Sequence, residues 1–299
     1  MRIFVTGATG FIGSAVVNEL ISAGHEVLGL VRPGNEAAEL LSKIGVTIHR
    51  GCLEDLDSLR RGAAISDGVI HTALMPINDF STDSIIARDI DLRAIKALGD
   101  GLANSDRPLV VTSTTALLKE GRIGTEADHG DPTTVDAFRI PSEEMTLSLA
   151  SKGVRTSIVR LPPCVYGNMN HGFVPVLIDF AKAKGLSAYI GNKPNRWPAV
   201  HRLDAAVLYR LALEKAPAGS IFHSVAEEGI LFRNIAEAIG RYLNLPVSAI
   251  SSEEADKYFG YLTSFASLDC PASSTYTKDL LGWMPVQTRL ISEEGTFNN

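Results

Sequence analysis

The sequence predicts an α/β protein with a doubly wound parallel sheet and a smaller, mixed C-terminal region. Through roughly the first 160 residues, short β-branched runs alternate with helical patterns, which is typical of parallel βαβ units. A glycine-rich stretch joins the first strand to the first helix. After residue 161 the alternation gives way to stretches punctuated by proline and glycine, such as "LPPCVYGNMNHG" and "GNKPNRWP".

The predicted strands of the N-terminal half are "RIFVT", "EVLGLV", "VTIH", "GVIHTA", "PLVVTS" and "RTSIVRL". The first helix is predicted over residues 11–23, where Ile12, Val16 and Leu20 recur at the helical interval and Gly24 can stop the helix. Later helical segments, such as "LDAAVLYRLALE", accompany scattered strands such as "SIFHSV". We expect one unit from residues 1–161 plus about 198–226, and a smaller unit from about 162–197 plus 227–299.

Composition limits the classes of partner and the compartment. The chain has 299 residues, a net charge of -6 and no run of Lys or Arg, so neither a nucleic acid nor an anionic membrane is an expected partner. Cys52, Cys164 and Cys270 are widely spaced, which indicates a reducing compartment without a disulfide framework or zinc site. The start "MRIFVTGATG" is predicted to be a strand and not a secretion signal, and no apolar run is long enough to span a membrane. We expect a cytoplasmic monomer or homodimer that binds a small molecule.

The stretch "VTGATGFIG" places Gly7, Gly10 and Gly13 between the first strand and the first helix. Gly7 permits a tight turn, Gly10 lets the backbone approach a pyrophosphate, and Gly13 lets the helix pack close to the strand. The N-terminus of the following helix attracts negative charge. This context favours a Rossmann dinucleotide site over an ordinary glycine turn in a sheet.

The spacing G-x-x-G-x-x-G in "TGATGFIG" resembles that of the extended and atypical short-chain dehydrogenase/reductase superfamily, which includes epimerases and dehydratases that use NAD. The resemblance continues through "GVIHTA", "VVTSTT", "RLPPCVYG", "WPAVHRLDAA" and "LLGWMP", and so runs nearly end to end. It implies a Rossmann domain for the larger unit and a substrate domain for the smaller one.

Positions carried over from the resemblance imply the cofactor contacts. They place the pyrophosphate beside Gly7, Gly10, Phe11, Ile12 and Gly13, the adenine beside Leu53, and the nicotinamide-side ribose beside Ala73 and Leu74. They also imply contacts for Thr9 in the loop, Thr112 in the fifth strand, and Pro162 and Val165 after the sixth strand. Cys52 stands where the superfamily often has an acidic residue.

The second strand is followed by "LVRPG". An NAD-preferring site would place Asp or Glu here to accept from the ribose 2′-hydroxyl, whereas the planar guanidinium of Arg32 can pair with a 2′-phosphate. The sequence therefore favours NADP(H) over NAD(H). The alternative is that Arg32 is a solvated cation at the end of the strand.

The superfamily's Tyr and Lys, four residues apart at the start of the helix after the fifth strand, have no counterpart in "AFRIPSEEMTLSLA". The alignment puts Arg139 at the Tyr position and Glu143 at the Lys position. A guanidinium is no proton donor near neutral pH, and a glutamate opposes phenolate formation. Arg139 then binds substrate or forms a plain ion pair with Glu143, and Pro141 places Arg139 just before the helix. Thr114 supplies a hydroxyl at the position where the superfamily normally has a Ser or Thr that holds the substrate oxygen. The chain thus resembles an atypical subgroup without the catalytic pair.

Tyr189 and Lys193 in "AYIGNK" have the spacing of that pair but lie beyond the sixth strand. Their segment is predicted to be a strand followed by a Gly-Asn turn, where residues four apart do not share a helical face. We interpret the spacing as coincidental.

Two residues after the sixth strand are candidate replacements for the missing proton donor. Tyr166 offers a phenol and His171 an imidazole, although "VYG" can be a structural loop and His171 can simply be exposed. His201 is expected to cap or brace the helix from residue 204, and His71 and His223 are expected in the core.

Three functions fit the sequence. The first is an NADP(H)-dependent oxidoreductase for a small carbonyl or enone-type molecule, with Thr114, Arg139 and the 166–171 loop forming the site. The second is a cofactor-binding regulatory protein similar to NmrA-like sensors, without hydride transfer. The third, nucleotide-sugar epimerisation, also needs the missing Tyr-Lys pair.

Overall fold

The computed structural model describes residues 1–74, 83–167, 171–191 and 194–297. The strands follow the predicted order in the N-terminal half and continue at shorter, irregular intervals beyond it. They are β1 (Arg2–Thr6), β2 (Glu26–Val31), β3 (Thr47–Arg50), β4 (Gly68–His71), β5 (Pro108–Thr114), β6 (Arg155–Leu161), β7 (Cys164–Tyr166), β8 (Ser187–Ile190), β9 (Arg196–His201), β10 (Ser220–His223), β11 (Glu227–Leu231) and β12 (Val247–Ile250).

Seven of these strands form one parallel sheet in the order β10-β6-β5-β4-β1-β2-β3. The predicted doubly wound Rossmann sheet is therefore confirmed. Strand order reverses at β1, which lies between β2 and β4. In sheets of this kind, ligands bind in the crevice outside the carboxyl ends of the strands at such a reversal.

Helices cover both faces of the large sheet. Side chains alternate along β1, so Ile3 and Val5 enter the core beneath α1 and α7, while Phe4 enters the core beneath α3 and α4. None of the helices within the described ranges is long and apolar enough to cross a membrane. The helices are α1 (Phe11–Ser22), α2 (Ala37–Lys43), α3 (Leu56–Ala64), α4 (Asp83–Leu102), α5 (Ile140–Ser148), α6 (Phe173–Lys184), α7 (Arg202–Lys215), α8 (Phe232–Leu243), α9 (Ser252–Phe259), α10 (Thr263–Ala266) and α11 (Thr275–Leu281).

A second core lies outside the large sheet. It surrounds Trp197, Phe232 and Phe259 and is bounded by the three-stranded sheet β11-β9-β7 and the pair β12-β8. After β9, the chain returns to the large sheet, where α7 joins the core of one face and β10 adds the outermost strand beside β6. The division into two units at the expected boundaries stays a prediction.

Tyr189 lies in β8, as predicted, and is in register with Ala249 of β12. The guanidinium of Arg233 lies 5.5 Å from the centre of its ring. The other member of the pair, Lys193, lies outside the described residues, so no geometry between the two is assigned.

Candidate functional site

The glycine loop makes a tight turn from β1 into α1. Gly7 has φ +72°, and a Cβ on Gly13 would come within 2.0 Å of the Gly7 carbonyl oxygen, so the loop cannot close this tightly with larger residues. Helix α1 begins at Phe11, and its N-cap, Gly10, contributes no side-chain hydrogen bond. The first amides of α1 are therefore available to an anionic group, as dinucleotide binding requires.

A cavity of about 420 Å³ opens beside this loop. Its lining includes ten of the residues predicted to contact the cofactor, either from the resemblance or, for Arg32, from its charge. These are Gly7, Thr9, Gly10, Phe11, Ile12, Gly13, Arg32, Leu53, Ala73 and Leu74. Cys52 and Glu54 also line this cavity, so a carboxylate lies two residues after the position where the superfamily often has one. The glycine loop and the other lining residues fit a dinucleotide.

Two arginines lie at the end of the cavity near β2 and β3. Arg32 follows β2, is exposed, and lines the cavity with Asn35. Arg50 ends β3, and its guanidinium donates to the Arg32 carbonyl oxygen at 3.4 Å. Sequence reasoning missed Arg50, because its proximity to Arg32 arises from the β2–β3 pairing.

A second cavity, of about 460 Å³, shares Thr72, Ala73 and Leu74 with the first. Its remaining wall is mostly apolar and comes from both sides of the crevice between the large sheet and the second core. It contains the predicted residues Thr112, Thr114, Arg139, Pro162 and Val165, together with Ser113, Asp136, Phe138, Leu161, Pro163, Phe173 and Phe265. A small molecule here would lie next to a dinucleotide in the first cavity.

Arg139 is buried and belongs to a polar network beneath this cavity. Its guanidinium lies 3.5 Å from Asp91 of α4 and donates to the Thr112 carbonyl oxygen. Asp91 also accepts from Ser142 at 2.6 Å and from His71 Nε2 at 3.0 Å. Burial opposes ionisation of Asp91, but Arg139 and these hydrogen bonds together lower the pKa of Asp91 below its ordinary value. Asp91 is thus a carboxylate that holds Arg139 in place.

The expected alternative, an ion pair between Arg139 and Glu143, is wrong. Glu143 instead binds Arg160 of β6 through two hydrogen bonds of 2.7 and 2.8 Å. Both of these side chains are buried, so each would be costly to leave unpaired. As predicted, Arg139 precedes the helix, which begins at Ile140 with Pro141 in its first turn.

Thr114 and Asp136 supply the remaining polar chemistry of the cavity. The Thr114 hydroxyl oxygen accepts from the Ala116 amide at 3.0 Å, and its hydrogen can be donated to the neighbouring Asp136 carboxyl. Burial raises the pKa of Asp136 to about 6, although the Arg139 charge and the Thr114 hydroxyl oppose the shift. Sequence reasoning missed Asp136, because nothing in "DHGDPTTVDAFR" distinguishes it from the neighbouring half-buried carboxylates of Asp128 and Asp131.

Neither candidate replacement for the proton donor lines the second cavity. Tyr166 is buried in β7, and its hydroxyl donates to the Thr288 carbonyl oxygen at 2.8 Å, away from the second cavity. Burial, and then the nearby Glu227 carboxylate, raise the pKa of Tyr166 above its ordinary value. His171 is exposed, with its ring stacked on Phe11 at 5.3 Å, so it lies at the dinucleotide loop.

The three histidines for which a structural role was expected, His71, His201 and His223, have such roles. His201 is the N-cap of α7, where its Nδ1 accepts from the Leu203 amide at 3.2 Å. His71 is buried in β4, between Thr6 and Asp91. His223 is buried in β10, and burial lowers its pKa to about 3, so it is neutral at physiological pH.

Comparison with known proteins agrees with this geometry. Residues 3–224 match the model of the "NAD dependent epimerase/dehydratase family". The chain is 52% identical to the uncharacterized protein C2A9.02 of Schizosaccharomyces pombe, over 98% of both chains. It is 28% identical to the 4-hydroxy-2-methyl-3-oxo-4-farnesyl-3,4-dihydroquinoline-1-oxide ketoreductase of Stigmatella aurantiaca, over 74% of this chain and 67% of the ketoreductase.

Solved structures extend the likeness to the whole fold. The dTDP-glucose 4,6-dehydratase DesIV of Streptomyces venezuelae, determined with NAD bound, superposes with a TM-score of 0.77 at 20% identity. The match covers 96% of this chain and 93% of DesIV. The chain therefore belongs to the NAD dependent epimerase/dehydratase family, within the short-chain dehydrogenase/reductase superfamily, and is an NAD(P)-dependent enzyme of the oxidoreductase and epimerase type.

Proposed function

We propose that the protein is an NADP(H)-dependent oxidoreductase that acts on a small carbonyl or enone-type molecule. The observation that carries this proposal is the continuity of the two cavities through Thr72, Ala73 and Leu74. When bound, a reduced nicotinamide supplies hydride to such a substrate. The chain's own contribution is an apolar pocket in which Thr114 and Arg139 present hydrogen-bond donors to one polar atom.

The site chemistry separates this function from the alternatives. Epimerisation in this superfamily uses the Tyr-Lys pair, and the side chains aligned with it, Arg139 and Glu143, are engaged in buried ion pairs. A relative over most of the chain is named a ketoreductase, which supports carbonyl reduction. The regulatory alternative is not favoured by these relatives.

Arg32 and Arg50 support the preference for NADP(H). The exposed Arg32 side chain lines the first cavity just after β2, and the Arg50 guanidinium donates to the Arg32 carbonyl oxygen, so two cations lie near the place expected for a 2′-phosphate. We expect Arg32→Ala to weaken NADPH binding by about 10-fold or more, the range of one charge-assisted hydrogen bond, and to leave NADH binding within about 2-fold. Arg50→Ala should also weaken NADPH binding. Fluorescence titration with both nucleotides measures this, and equal affinity of the wild type for both would contradict the assignment.

The activity itself is tested by single-turnover oxidation of NADPH against a panel of ketones, aldehydes and enones. Because the second cavity is lined mostly by apolar side chains, among them Phe138, Phe173 and Phe265, we expect turnover of compact apolar compounds and none of the strongly polar nucleotide sugars. If NADPH binds but no carbonyl compound in the panel is reduced, the proposed reaction is wrong.

The expected compartment and assembly belong to the same proposal. Cys52, Cys164 and Cys270 are free thiols, which suits the reducing cytosol. We expect a monomer or homodimer, which light scattering after size-exclusion chromatography measures directly.

A further inference from the structure

Two residues of the second cavity have an ionisable side chain. Among the described residues that line it, these are Asp136 and Arg139. A guanidinium keeps its proton at all accessible pH values, so Arg139 cannot exchange one with a substrate. Within this lining, Asp136 is the group with acid-base chemistry near neutral pH.

Asp136 has no evident structural task that would explain its burial. It precedes the short 3₁₀ turn Ala137–Arg139, but its side chain forms no capping hydrogen bond. Among the described residues, no Lys, Arg or His nitrogen forms an ion pair with it, and Arg139 pairs instead with Asp91. A carboxyl group that is buried without such a partner costs stability, and groups of this kind concentrate at functional sites.

Two groups that can donate hydrogen bonds to a substrate oxygen lie beside Asp136. Thr114, at the end of β5, and Arg139 both interact with Asp136, and all three line the same cavity. The hydroxyl of Ser113, which also lines this cavity, is buried with no hydrogen-bond partner among the described residues.

We propose that Asp136 is the residue that exchanges a proton with the substrate oxygen, an inference that rests on the proposed carbonyl reduction. The carbonyl carbon gains hydride, and with it two electrons, from the reduced nicotinamide, which is oxidised. The C=O π bond breaks toward oxygen, and that oxygen takes the carboxyl proton of Asp136 to give the alcohol. Asp136 is left as a carboxylate and regains a proton from water. Thr114 and Arg139 stabilise the oxygen while its charge develops.

The charges around Asp136 fix the sign of the pH dependence. Burial raises the pKa of Asp136 to about 6, while Arg139 from its own segment and Thr114 from β5 act in the opposite direction. Cys270, which approaches after α10, is buried, and burial keeps its thiol pKa well above the ordinary value, so it faces Asp136 uncharged. The acid form is therefore lost as pH rises through about 6. Reduction should slow over that interval and alcohol oxidation should accelerate.

Asp136→Asn is the decisive variant, because it keeps the shape of the side chain and removes the proton. We expect single-turnover reduction to fall by about 10²-fold or more, with loss of the pH dependence near 6, while NADPH affinity stays within a few-fold of wild type. Asp136→Glu should recover part of the rate. Asp131→Asn is the matched control, since Asp131 lies in the same loop, is not buried, and its carboxylate accepts hydrogen bonds from the amide and hydroxyl of Thr133.

A second readout does not depend on turnover. Infrared difference spectra of protein labelled with ¹³C-aspartate should show a protonated carboxyl that titrates near pH 6 in the wild type and disappears in Asp136→Asn. If that signal is missing, or if Asp136→Asn reduces substrate at the wild-type rate and pH profile, the assignment of Asp136 is overturned and the carbonyl reductase stands. If the wild type reduces no carbonyl compound, both fall.

Discussion

Arg139 cannot perform the proton transfer that the superfamily's tyrosine performs at the aligned position. The resemblance aligns it with a catalytic tyrosine, yet its guanidinium is held by Asp91 and by the Thr112 carbonyl oxygen. Asp91 in turn is held by His71 and Ser142, so the cation has a fixed, charge-balanced position beneath the pocket. Such an arrangement can stabilise an oxygen but cannot protonate it.

The Tyr166→Phe variant tests directly whether the Tyr166 phenol takes part in the reaction. Tyr166→Phe removes a hydrogen bond to the Thr288 carbonyl oxygen, so we expect a stability loss of about 1 kcal/mol. Turnover should stay within a few-fold of wild type, because the hydroxyl is directed away from the second cavity. Urea unfolding and single-turnover kinetics measure the two effects. A rate loss of about 10²-fold or more would restore Tyr166 as the proton donor.

At the scale of elements, the buried pair of Arg160 and Glu143 ties β6 to α5 and so fixes the helix that begins just after Arg139. Removing one partner leaves the other charged and buried, so we expect Glu143→Ala to lower the free energy of unfolding by about 3 kcal/mol or more. Glu144→Ala is the control, because Glu144 is the exposed neighbour on the same helix. Denaturant unfolding of the two variants makes the comparison, and equal losses would contradict this role.

The elements also show what local sequence could and could not predict. Helix α1 was predicted over 11–23 and is observed over Phe11–Ser22, because its periodicity and its glycine stop are both local signals. The direction of the Tyr166 side chain was not predictable in this way. Tyr166 pairs with His201 of β9, and this distant pairing decides which face of β7 the phenol occupies.

For the whole molecule, the parallel sheet and the ten residues of the first cavity could be predicted, because a strand-loop-helix motif carries its own geometry. The acid of the second cavity could not. Asp136 is buried and Asp131 is not, and the burial of Asp136 is produced by the packing of segments far apart in sequence, among them the one that carries Cys270. The pairing of Arg160 with Glu143 could not be predicted either, because tertiary structure brings these two residues together.

The wall that the two cavities share has a consequence for the order of events in turnover. The two cavities share a wall formed by Thr72, Ala73 and Leu74. When the first cavity is empty, a small molecule in the second cavity lies beside an opening. When a nucleotide fills the first cavity, the small molecule can pack against that nucleotide. We expect an ordered sequence, with the nucleotide binding before the carbonyl compound. A dead-end analogue of the substrate should then be an uncompetitive inhibitor against NADPH, and calorimetry should detect its binding only when nucleotide is present. Binding of equal strength without nucleotide would indicate random order.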